Sequence, residues 1–124
     1  MKKKVLYVED NFVNRLLLEK SLHGIVKIDT EENGFKGIAL AEEKKYDVYI
    51  LDLNLGDPEI DGFGVLQSIK VNKQLKGLYV ALTAYDGTEW KNKCIDSGFD
   101  MYFTKPVNAK SMWLDIENYL KIGH

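Results

Sequence analysis

The stretch VYILDLNL, residues 48–55, sets one carboxylate, Asp52, inside a run that otherwise reads as buried sheet. An unpaired charge in that setting costs far more than a typical hydrogen bond returns, so Asp52 must stand at an open strand end or be compensated. Other polar residues stand in matching places: Glu9 and Asp10 follow KVLYV, Thr83 closes LYVALT, and Lys105 follows MYFT. Carboxylates crowded together repel one another and push at least one pKa upward unless a cation sits among them. With oxygen donors only and no His or Cys beside them, that cation is Mg²⁺ in cells, with Mn²⁺ as a substitute. A metal held by Asp10 and Asp52, with Glu9 acting directly or through water, leaves one Asp52 oxygen free to attack phosphorus. Lys105 then neutralises the incoming phosphoryl oxygens, and Thr83 donates a hydrogen bond to one of them. Any one of these residues alone reads as part of a solvated rim. The ordered set at successive strand ends carries the chemical reading.

The elements that must position them alternate in kind. Strand-length apolar runs occur at 4–9, 25–30, 47–52, 78–83 and 101–104. Between them lie apolar residues at helical spacing: Val13, Leu16 and Leu17; Phe35, Ile38 and Ala39; Phe63, Leu66 and Ile69; Trp90 and Cys94; and Ala109, Met112, Trp113, Ile116 and Leu120. Asn11 or Asp10 can cap the first helix and Asn108 the last, while Gly24 and Gly98 stand where left-handed residues would stop the first and fourth. Five β-α units in so short a chain predict a parallel α/β sheet covered by helices on both faces, because each crossover returns right-handed. The first and third strands, being the most continuously apolar, belong near the centre. In such sheets the functional crevice forms beyond the carboxyl ends of the strands.

Composition narrows the function. The chain has 124 residues, 45% of them hydrophobic and 29% charged, which suits a single domain over 1–124. Its formal charge is −2, and beyond Lys2, Lys3 and Lys4 there is no basic run, which argues against direct binding to nucleic acid. Cys94 stands alone, which excludes an internal disulfide and a multi-cysteine metal site and suits a reducing compartment. No apolar run reaches membrane-spanning length and the N-terminus lacks a signal-peptide pattern, so the expectation is a cytoplasmic protein. His23 and His124 have no kinase-like context.

The ordered set VLYVEDN, YDVYILDLNL, ALTAY and GFDMYFTKPV resembles the receiver domains of two-component response regulators, over residues 4–120. The resemblance implies a flavodoxin-like (βα)5 fold with strand order 2-1-3-4-5. It implies that Asp52 is the phosphoacceptor of a phosphorelay, fed by a histidine kinase or a histidine phosphotransfer protein, with Lys105 and Thr83 at the phosphoryl group. It further implies that Glu9, Asp10, Asp52 and the main-chain carbonyl of Asn54 hold Mg²⁺, that Thr83 and Tyr102 form a switch couple, and that Lys105–Pro106 is cis. The output surface would be helix 4, strand 5 and helix 5, able to serve an unknown output protein or a phosphorylation-dependent homodimer. On this reading the chain is a signalling domain rather than an enzyme, with slow self-catalysed phosphorylation and dephosphorylation at most.

The chain departs from that pattern after Asp52, where LNLGDPEIDGFG carries Gly56 in a position often held by proline and adds Asp57, Glu59 and Asp61. Trp90 falls where the family usually carries a polar residue, as a partner contact or as packing. No linker or output domain follows the last helix, so the chain is a stand-alone receiver or a piece of a larger protein. Two other readings compete. A receiver-like module could act without phosphate, although none of the acidic or lysine positions is missing. An aspartyl-nucleophile phosphatase would carry an acid two residues after the nucleophile, where this chain has Asn54, and would place the motif on the first strand.

Overall fold

The computed structural model describes residues 2–72 and 76–122; His124 therefore lies outside the described residues. The elements run β1 (Lys4–Val8), α1 (Phe12–Ser21), β2 (Lys27–Glu31), α2 (Gly34–Glu43), β3 (Val48–Asp52), α3 (Gly62–Val71), β4 (Leu78–Thr83), α4 (Thr88–Ser97), β5 (Met101–Thr104) and α5 (Ala109–Ile122). All strand pairs are parallel, and the order is β2-β1-β3-β4-β5. This is the expected α/β architecture, a flavodoxin-like (βα)5 sheet with strand order 2-1-3-4-5.

Residue alternation along the strands feeds two cores, since successive side chains point to opposite faces. Leu6, Val8 and Leu51 pack with Val65, Leu66 and Ile69 of α3 and with Cys94 of α4. Val5, Tyr7, Ile50 and Leu82 pack on the other face against Leu18 and Met112, Trp113 and Ile116 of α5. Covered on both faces, β3 and β4 are buried along their whole lengths.

Caps follow the sequence closely. Asn11 accepts from the Asn14 N–H at the start of α1, and Asn108 accepts from the Ser111 N–H at the start of α5. Gly98, with φ 111°, closes α4, whereas α1 is capped by Leu22 and the left-handed Gly24 comes two residues later.

Two helical faces differ from the sequence pattern. In α1 the inward stripe is Asn14, Leu18 and Leu22, while Val13, Leu16 and Leu17 face solvent with Phe12, which is 58% exposed. In α2, Gly34, Gly37 and Ala41 are the buried positions, Gly34 against Ile60 and Val65 on the α3 side and Gly37 against Val8 of the sheet, and Phe35 and Ala39 point outward. Apolar spacing identified both helices, but the inward face was decided by what each packs against. In α2 the sheet is approached so closely that a Cβ at position 37 would lie 2.6 Å from the Val8 side chain. Strand β2 also starts two residues late, leaving Ile25 exposed, because its register pairs Lys27 with Lys4.

Candidate functional site

The carboxyl ends of β1, β3, β4 and β5 open on one cleft of about 290 Å³. Glu9 stands one residue beyond β1 and is only 1% exposed, because its own N–H still donates to the Glu31 carbonyl at 3.0 Å and keeps the backbone in register with β2. Its carboxylate accepts from the Tyr7 hydroxyl at 3.0 Å, the Asn14 side-chain amide at 3.2 Å and the Asn11 N–H at 3.3 Å. Asp10 turns outward into solvent. Asp52 ends β3 at 4% exposure; its Oδ1 accepts from the Asn54 N–H at 3.0 Å, and its Oδ2 accepts from Lys105 Nζ at 2.6 Å. Thr83 ends β4 and is buried, with Oγ1 accepting from the Tyr85 N–H at 3.1 Å. Lys105 follows β5; its N–H donates to the Thr83 carbonyl at 2.7 Å, and the Lys105–Pro106 bond is cis.

Lys105 Nζ also donates to Glu9 Oε1, so one ammonium serves two buried carboxylates. Burial alone would lower the lysine's pKa, but its bonds to Asp52 and Glu9 more than offset that, and it stays charged. Burial also pushes Glu9 upward, yet its side-chain contacts with Asp52 and Lys105 outweigh that effect and bring it down to about 2. Asp52 is left as the weaker competitor: burial, then the neighbouring Glu9, raise it to about 7. Asp10 is raised as well, by desolvation and by Glu9.

This imbalance bears on the metal expected from sequence. Glu9, Asp10 and Asp52 each offer a carboxylate oxygen, and these atoms all lie within 4.8 Å of one another. Lys105 is the one cationic side chain lining the cleft among the described residues. Gly56 leaves room beside them: it holds φ 66°, and a Cβ there would lie 2.8 Å from Asp10 Oδ2. A left-handed position excludes proline, so the departure at residue 56 has a backbone reason. An all-oxygen donor set, short of positive charge and open on the Asp10 side, fits a hard divalent ion.

A family model, the response regulator receiver domain, matches residues 5–117. The chain belongs to this family. A probable chemotaxis protein CheY from Rhizobium etli is 30% identical over 117 residues, spanning 92% of this chain and 89% of that protein. Hybrid signal transduction histidine kinase B from Dictyostelium discoideum is 29% identical over 126 residues, which cover 91% of this chain and 6% of that protein. The chain likewise spans 16% and 31% of two further curated relatives, so it corresponds to a small part of such proteins. The signal receiver domain of a putative Luxo repressor protein from Vibrio parahaemolyticus superposes with a TM-score of 0.85 at 27% identity, covering 98% of this chain and 92% of that one. The protein is thus a receiver domain of the two-component signalling type, a class of signalling domains. No helix among its described residues is long and apolar enough to cross a membrane.

Within the receiver domain, the structure brings Glu9, Asp10, Asp52, Asn54, Thr83 and Lys105 to the cleft and leaves Tyr102 beside it. The Tyr102 hydroxyl donates to the Tyr85 carbonyl, so Thr83 and Tyr102 both end on the main chain of Tyr85. Sequence reasoning missed Tyr7, Asn14 and Arg15. Tyr7 is two residues before Glu9 on the same strand face, and Asn14 is the polar member of an inward i, i+4, i+8 stripe. Arg15 donates to the carbonyls of Glu9 and Asp10, at 2.8 and 3.0 Å, and leaves no sequence signal because its acceptors are main-chain atoms. The acidic loop stays apart from the cleft: Asp57 accepts from the Glu59 N–H at 2.8 Å, and Asp61 caps α3 at 2.9 Å. Cys94 is buried, and burial pushes its thiol up to about 11, in keeping with a packing role. Trp90 stacks on Tyr85, with ring centroids 4.5 Å apart.

Proposed function

We propose that this receiver domain accepts a phosphoryl group on Asp52 from a histidine kinase or a histidine phosphotransfer protein, and that the phosphorylated and free forms bind partners differently. The observation that carries this reading is the pairing of Asp52 Oδ2 with Lys105 Nζ at 2.6 Å in a cleft open to solvent beside Asp10. The ammonium is already at the oxygen's side, where it can turn to the equatorial oxygens of an arriving phosphoryl group. An Asp52 oxygen forms the new P–O bond while the P–N bond to the donor imidazole breaks and its electron pair leaves with the imidazole nitrogen. Hydrolysis returns the carboxylate and inorganic phosphate.

Glu9, Asp10 and Asp52, with the main-chain carbonyl of Asn54, would hold Mg²⁺, or Mn²⁺ in its place. When bound, the ion supplies the positive charge that this acidic cleft lacks and helps align the phosphodonor. Tyr7 and Asn14 fix the Glu9 carboxylate, and the Asn54 N–H fixes Asp52 Oδ1, so Oδ2, the oxygen on Lys105, is presented in one orientation. Thr83 has its Oγ1 lone pair engaged by the Tyr85 N–H and its own proton available for a phosphoryl oxygen. A phosphoryl group brings close to two negative charges, enough to bias Thr83, Tyr85 and Tyr102 toward a second arrangement. We place the readout on α4, β5 and α5, toward an output protein or a second copy, with residues 1–124 acting as one domain in the cytoplasm.

Incubation with Mg²⁺ and acetyl phosphate should add one phosphoryl mass to the intact chain, removable by hydroxylamine as an acyl phosphate. Asp52→Asn should take up none. Labelling that persists in Asp52→Asn contradicts the reading. Multiple-turnover hydrolysis of ordinary phosphomonoesters would favour a phosphatase instead.

A further inference from the structure

Helix α4 begins differently from its neighbours. Helices α1, α2 and α3 start on the side chains of Asn11, Asn33 and Asp61, and α5 starts on Asn108. The residue before α4 is Gly87, with φ 105° and no side-chain cap bond. An uncapped start leaves first-turn N–H groups to solvent and makes that turn the easiest part of the helix to shift. What holds it is a side-chain stack: Trp90, in the first turn, lies on the Tyr85 ring at 4.5 Å and 24° between planes. Lys93, one turn on, covers the Trp90 ring at 5.1 Å and the Phe63 ring of α3 at 4.9 Å.

Tyr85 is also bound to the cleft. Its N–H donates to Thr83 Oγ1 at 3.1 Å, and its carbonyl accepts from the Tyr102 hydroxyl. Amide, carbonyl and ring of one residue thus reach three separate elements: the end of β4, strand β5 and helix α4. A rotation that carries Thr83 Oγ1 toward the cleft breaks the hydrogen bond from the Tyr85 N–H, and the plane carrying the ring must then readjust. The Trp90 indole, half-buried beside it, moves with that ring.

We propose that Tyr85 is a positioning residue that joins the acidic cleft to α4 through its ring on Trp90, so that a change at Thr83 is delivered to the α4 start as a displacement of the indole. The ring carries this coupling; the phenolic hydroxyl does not. The inference rests on the phosphoacceptor reading for its natural input, and the test separates the two.

The chain is labelled with 5-fluorotryptophan, which gives one fluorine signal for Trp90, assigned with Trp90→Phe, and one for Trp113. Beryllofluoride, a phosphoryl mimic, reports its own binding through its fluorine resonance. With Mg²⁺ and beryllofluoride, the Trp90 signal should shift while that of Trp113, buried in the α5 core, holds its position. In Tyr85→Ala, beryllofluoride should still bind and the Trp90 shift should be lost; Tyr85→Phe should restore it. A Trp90 shift of equal size in Tyr85→Ala, or none in the unaltered chain with beryllofluoride bound, overturns the proposal while leaving the phosphoacceptor reading intact. Absence of beryllofluoride binding overturns the phosphoacceptor reading. The coupling is then judged without ligand: Thr83→Val should move the Trp90 signal in the unaltered background and leave it unmoved in Tyr85→Ala, and equal movement in both refutes it.

Discussion

Lys105 Nζ donates to Asp52 Oδ2 at 2.6 Å and in the same position donates to Glu9, so two buried carboxylates compete for a single ammonium. Glu9 prevails because its side-chain contacts with Asp52 and Lys105 outweigh its burial, whereas burial and the neighbouring Glu9 push Asp52 the other way. The consequence is a carboxylate, Asp52, kept in contact with a cation yet poorly neutralised by it.

That competition sets a pH dependence for the metal-free chain. Glu9, lowered to about 2, contributes stability that is present above its ordinary range near 4.5 and is lost as pH falls toward 2. Asp52 is raised from 3.8 to about 7, so the folded form holds a proton that the unfolded chain has released. Stability from this group therefore declines as pH rises from about 4 to about 7. Thermal melts without divalent ions should show the decline, Asp52→Asn should flatten it, and Mg²⁺ at pH 7.5 should raise the melting temperature of the parent chain. A parent chain whose stability climbs over that window contradicts the charge assignment.

Removal of the ammonium should act on rate more than on fold. Lys105→Ala takes away the donor nearest the reacting oxygen, and loss of one such group typically slows group transfer by roughly 100-fold. Labelling by acetyl phosphate at saturating Mg²⁺ measures this, and an unchanged rate excludes the role given to Lys105.

The cleft also depends on a close backbone approach. A Cβ at Gly62 would lie 2.3 Å from the Asp52 carbonyl oxygen and 2.8 Å from the Leu53 Cα, main-chain atoms that cannot turn aside. Gly62→Ala should cost about 1–3 kcal/mol, as overpacking does, and should weaken Mg²⁺ binding because the displaced segment carries Asp52. Gly64→Ala meets the movable Ile60 side chain instead and should cost less. Urea denaturation of both variants checks the order.

Tyr7 supports Glu9 from within β1, and burial followed by the Glu9 charge raises its hydroxyl well above the ordinary phenol value, so it remains a donor. Tyr7→Phe should destabilise the chain by about 1–3 kcal/mol, the cost of leaving a buried acceptor short of a partner. A chemical denaturation series at pH 7 measures it, and a stability equal to that of the parent would show that Glu9 does not depend on this bond.

Much of this site was legible because a parallel sheet delivers the carboxyl ends of its strands to one rim. Asp52, Thr83 and Lys105 could be placed on that rim from position alone once the strands were recognised. The inward face of α1 could not, since Asn14 turns in because Glu9 needs a donor while Phe12 and Leu17 are left outside. That choice depends on a contact between elements and is invisible to apolar spacing. Tyr85 was missed for a related reason: two of its three links are made by main-chain atoms, which every residue type possesses.

Chemical location of the acyl phosphate decides whether Asp52 is the phosphoacceptor. After exposure to acetyl phosphate and Mg²⁺, borohydride reduction converts a phosphorylated aspartate to homoserine, and peptide mass spectrometry identifies the residue. Homoserine is expected at position 52 alone; homoserine at another acid, or at none while phosphate is bound, would show that Asp52 is not the acceptor.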